Sequence, residues 1–127
     1  MKYVWLLFIS FMGIPASAHE MTPTYFELKP AVVSDGVLFT TIKLFNRRED
    51  VRYYEIEVYD SEFKHIPFAA TSRVVKMDYL ARKSVDVYIR KIDKDKVSYI
   101  CTLSKLEKES ITSGAISSRI CSKLKEE

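Results

Sequence analysis

The chain has 127 residues, 20 of them basic and 17 acidic, for a formal net charge of +3. So near a balance leaves no nucleic-acid footprint, three glycines are too few for a phosphate-cradling loop, and the length holds one domain rather than two.

Residues 1–18, MKYVWLLFISFMGIPASA, place one lysine before an apolar run from Tyr3 to Met12, a break at Gly13 and Pro15, and small residues at Ala16 and Ala18. This is the layout of a secretory signal peptide cleaved after Ala18. The apolar run is too short to span a bilayer, and an uncleaved anchor is the alternative. The mature chain 19–127 is then a single domain of 109 residues, periplasmic or secreted, with no membrane contact after cleavage. Its first residue, His19, would carry a free amine and an imidazole, a chelating pair suited to Cu(II). His65 is the only other imidazole, so no metal site is predicted, and a copper pair of His19 and His65 stands as an alternative. No cofactor is expected.

From residue 37 onwards apolar residues recur at every second position, as half-buried strands require. GVLFTTIKLFN turns Leu38, Ile42 and Leu44 to one face and Phe39 and Phe45 to the other. YYEIEVYD opposes Tyr54, Ile56 and Val58 to Glu55 and Glu57, and VDVYIRKI opposes Val85, Val87 and Ile89 to Asp86, Tyr88 and Arg90. Turn signals separate these segments at 34–36, 46–50, 59–63, 65–67 and 91–96. Only CTLSKLEKES hints at helix. Regular short strands without a helical period predict an all-β, antiparallel sandwich.

Cys101 and Cys121 form an isolated pair, which in an exported chain reads as one disulfide. If the two lie opposite each other on antiparallel strands, Leu103 faces Arg119, Tyr99 faces Lys123 and Val97 faces Lys125, with a connecting loop centred near Ile111. No CxxC spacing argues for a redox role.

The run MTPTYFELKPAVVSDGVLFTTIKLFNRREDVRYYEIEVYD, a following strand with PF, then YLARKSVDVYIRK and VSYICTLSK, resembles the amino-terminal domain of PapD-like periplasmic pilus-assembly chaperones. The same segment order is similar to that of single-domain, phage-encoded relatives. The resemblance implies an immunoglobulin-like sandwich whose last strand completes a partner subunit by strand addition. Here that strand is SGAISSRICSKLK, with Ile116, Ile120 and Leu124 on one face as partner-binding residues. The family joins a first-strand arginine, in a PTR context, to a last-strand lysine to grip a terminal carboxylate. This chain reads PTY, so Tyr25 stands at the arginine position, while Lys123, Lys125 and Arg119 are the cations available on the last strand. A solvated edge strand is the alternative reading of those cations. The family's second domain is not expected after Lys125.

No serine, histidine and acid set and no paired carboxylates suggest catalysis. The expectation is an exported protein-binding module, not an enzyme, with a pilin-like or other exported protein as partner. A structural or host-surface interaction protein is the alternative.

Overall fold

The computed structural model describes residues 19–32, 34–105 and 117–126. Segment 1–18, read above as a signal peptide, the loop centred near Ile111 and Ile116 lie outside them.

Ten strands are described: β1 (Glu20–Thr22), β2 (Tyr25–Phe26), β3 (Lys29–Pro30), β4 (Val37–Phe45), β5 (Tyr53–Tyr59), β6 (Ala69–Ala70), β7 (Val74–Lys76), β8 (Arg82–Arg90), β9 (Tyr99–Lys105) and β10 (Arg119–Leu124). They form two sheets. The first runs β1-β4-β8-β6, with β3 also paired to β4; the second runs β2-β10-β9-β5-β7. All pairs are antiparallel except β2 with β10.

The period-two alternation fixes which side chains meet between the sheets. Ile42 and Leu44 of β4 and Val85, Val87 and Ile89 of β8 pack against Tyr54, Ile56 and Val58 of β5 and Ile100 of β9, with Phe26, Val75 and Met77 completing the core. Phe39 and Phe45 point outward as expected and are half-buried. Phe39 stacks on Tyr88, with ring centres 6.1 Å apart, and Arg82 lies 4.2 Å above the Phe45 ring. The hint of helix in CTLSKLEKES is corrected as far as Lys105. Those residues are strand, because Thr102 and Ser104 turn inward while the main chain is bonded into β5 and β10.

The antiparallel register around the cysteines is the expected one: Cys101 faces Cys121 in a disulfide, Leu103 faces Arg119 and Tyr99 faces Lys123. Val97 and Lys125 do not pair. The Val97 N–H donates to Asp93 O and the Lys125 N–H to Phe26 O, so β9 opens only at Tyr99.

At one end of the sandwich the polar stretch 46–50 is organised around a buried asparagine. Asn46 Nδ2 donates to the carbonyls of Val51 (2.8 Å), Met77 (3.0 Å) and Asp78 (3.3 Å). Its Oδ1 accepts from the Arg48 N–H and the Tyr54 hydroxyl. One side chain thereby joins the turn after β4, the start of β5 and the turn after β7.

Candidate functional site

The main chain of β10 alternates direction. The Ser118 carbonyl accepts from the Ser104 N–H, and the Leu124 N–H donates to Ser98 O, so even-numbered residues bond towards β9. Odd-numbered residues therefore present their N–H and C=O to the opposite side. There β2 covers only the end of the strand, where the Lys123 N–H donates to Thr24 O and the Lys125 N–H to Phe26 O. Beside Arg119 and Cys121 no strand is paired among the described residues. Among the described residues this stretch is an unpaired edge of the second sheet.

The side chains follow the same alternation. Ile120 and Leu124 are half-buried and pack against the domain's own core, and Ser122 between them is fully buried, its hydroxyl donating to Thr24 O. Ile120 and Leu124 of the predicted apolar ridge thus seat β10 on the sandwich. Arg119, Cys121 and Lys123 face outward. Lys123 lies beside Tyr25 in the parallel β2–β10 pair, and Tyr25 is 60% exposed. Lys125 pairs with Glu27 at 3.0 Å, which holds the Glu27 carboxyl below its usual range.

Arg119 reaches across the disulfide to an aromatic group. Its guanidinium lies 5.0 Å from the Phe63 ring centre and 5.9 Å from that of Tyr59. Phe63 stacks in turn on Tyr99, with centres 4.7 Å apart and planes 7° from parallel. Beneath this cover Cys101 is fully buried. Sequence reasoning missed Phe63, which sits in the turn after β5. The signal present was Asp60, whose carboxylate accepts the N–H groups of Glu62 (2.8 Å) and Lys64 (2.9 Å), the pattern by which an aspartate organises a tight turn.

The two histidines are not brought together. His19 lies against the first residues of β5, its ring 4.4 Å from that of Tyr54, whereas His65 lies against the last, 5.0 Å from Tyr59 and paired with Glu57 at 3.1 Å. The His19 ring nitrogens sit 2.7 Å from Thr102 Oγ1 and 3.2 Å from Ser118 Oγ, one donating and the other accepting. Among the described residues no cluster of three or more His, Cys, Asp or Glu is placed to hold a metal.

Burial pushes the His19 pKa from 6.5 down to about 4, with Arg48 acting in the same direction and a hydrogen bond with Thr102 opposing. Below about pH 6.5 the unfolded chain takes up a proton that the folded chain refuses until about pH 4, so stability falls as pH falls through that window. Unfolding free energy should drop by about 2 kcal/mol between about pH 7.5 and about pH 5. Urea titrations at a series of pH values check this, and His19→Gln should flatten the slope.

No family model and no curated protein matches the sequence. Solved structures do match. The E. coli chaperone DraB superposes with a TM-score of 0.61 at 16% sequence identity, covering 84% of this chain and 53% of that one. The periplasmic chaperone SfaE gives a TM-score of 0.51 at 13% identity, covering 82% of this chain and 54% of that one. The chain spans about half the length of these chaperones, with which it shares an immunoglobulin-like β-sandwich fold.

Proposed function

We propose that the protein is an exported, non-enzymatic binding module that holds a partner protein by strand addition along β10. The observation that carries this reading is the open edge beside Arg119 and Cys121, on the strand that the chaperone resemblance singles out. Main-chain hydrogen bonds to that edge would supply affinity, and Ile120 and Leu124 hold the strand in place from beneath. The partner class is a pilin-like or other exported subunit, and the compartment is the periplasm or the exterior.

The test uses proline as an edge block. Arg119→Pro removes an N–H that points away from β9, so the β9–β10 ladder stays intact while one outward donor is lost. With a photo-crosslinker at Ser117, the unblocked protein expressed in its own host should form a discrete adduct with an exported protein. Arg119→Pro should lose the adduct with no larger change in melting temperature than Arg119→Gln, which also loses the guanidinium but should keep strand pairing. An adduct indifferent to the proline overturns the reading and favours a host-surface or structural role.

The carboxylate grip should be weak. Tyr25 stands beside Lys123 where the family has arginine, so the two-cation clamp is reduced to one exposed lysine. Lys123→Ala should change affinity for the cross-linked partner by no more than about 1 kcal/mol in a binding titration. Abolished binding would show instead that Lys123 becomes a buried anchor in the complex.

A further inference from the structure

Arg119 is exposed, and among the described residues no carboxylate pairs with it. Its neighbour across β9 is Leu103, and beside it lies the disulfide. The two carboxylates on the outer face of β5 are already engaged, Glu57 with His65 at 3.1 Å and Glu55 with Lys105 at 3.3 Å. Among the described residues the guanidinium touches only aromatic rings.

The seat for this cation is built at a cost. Phe63 is 43% exposed and adopts φ 59°, in the left-handed region, where a bulky side chain is strained. The turn around Asp60 holds it there: the Asp60 N–H donates to Lys64 O (2.9 Å) and the Phe63 N–H to Asp60 O (3.1 Å). The outcome is a ring stacked on Tyr99 with the Arg119 guanidinium 5.0 Å from its centre. An arginine braced on aromatic faces loses less freedom when it binds, and its planar fork matches a carboxylate with two parallel hydrogen bonds.

Arg119 also stands beside the open stretch of β10, whereas the main chain at Lys123 is already covered by β2. A strand added to this edge places a side chain on the outer face directly next to Arg119, about 5 Å away between Cβ atoms. We infer that Arg119, braced on Phe63 and Tyr59, selects a strand carrying an aspartate or glutamate at the position facing it. The charge belongs to a side chain rather than a chain end, because Arg119 lies upstream of where β2 closes the edge and a strand pairing here passes alongside it. This inference rests on the strand-addition reading and adds the chemistry of the partner strand.

Soluble peptides alternating valine and threonine, with Glu or Gln at the centre, separate the two. Binding to the isotope-labelled protein is read from the amide signals of Arg119 and Cys121 and from the Arg119 side-chain N–H. The Glu peptide should shift all three and bind about tenfold more tightly than the Gln peptide, and Arg119→Gln should erase that difference while the edge amides still respond. Equal affinities for the two peptides, with the edge amides shifting, would leave strand addition standing and overturn the carboxylate preference alone. A Glu preference that survives Arg119→Gln would overturn it by assigning the charge to another cation. No response at either amide to any peptide would sink strand addition and this inference together.

Discussion

Replacing Asn46 with alanine should lower the unfolding free energy by about 4 kcal/mol, among the largest effects of any single substitution in this domain. The amide does work that no neighbour can take over. Its Nδ2 serves three main-chain carbonyls and its Oδ1 accepts from the Arg48 N–H and the Tyr54 hydroxyl, all at a residue with no exposed surface. Truncation strands these groups away from water, and each unsatisfied one costs about 1–3 kcal/mol before relaxation. Tyr54 is fully buried and its pKa is raised to about 12 by that burial, so its hydroxyl stays protonated and needs an acceptor. The Asn46→Asp variant should be comparably damaged, because it points a carboxylate at carbonyl oxygens. Urea midpoints with an unchanged m-value check both, and an Asn46→Ala loss under about 1 kcal/mol would show that water replaces the side chain.

Removing the disulfide should cost about 3 kcal/mol, from the chain entropy of a loop closed over a sequence separation of 20. The double variant Cys101→Ala with Cys121→Ala should fold with the same circular dichroism, since β9 and β10 remain paired over five residue pairs, two of them on each side of the bridge. Its unfolded state is less constrained, so the m-value should rise as well as the midpoint fall. A native-like midpoint would place the stabilisation in the strand ladder and in the Arg119–Phe63 cover rather than in the cross-link.

Much of the sandwich was legible because its long strands obey the two-residue period strictly. β4, β5 and β8 each bury the face that the apolar residues marked, and the cysteine pair fixed the β9–β10 register because an antiparallel ladder without a bulge extends one to one from any known pair. The direction of β10 was a different matter. Alternation shows that Ile120 and Leu124 share a face, but a period of two does not say whether that face meets the strand's own core or a partner; packing decides, and here it meets the core. Asn46 was hidden for the opposite reason. A polar run such as NRRED reads as an exposed turn, and nothing local shows that the carbonyls of Val51, Met77 and Asp78 converge on one amide. Strands of two or three residues, such as β2, β3 and β6, carry too few positions for any period to register. The Arg119–Phe63 contact joins residues far apart in the chain and depends on a left-handed backbone at a phenylalanine, which composition does not foretell.

Among the described residues β2 is bonded within its sheet to β10 alone, and the Ser122 hydroxyl meets the Thr24 carbonyl across a separation of 98 residues. The seat of β2 therefore does not exist until β10 has been made. Contacts so distant along the chain carry a large closure entropy and slow folding. An emerging chain keeps Tyr25 and Phe26 without their neighbour until Arg119–Leu124 arrives, which times the completion of the second sheet.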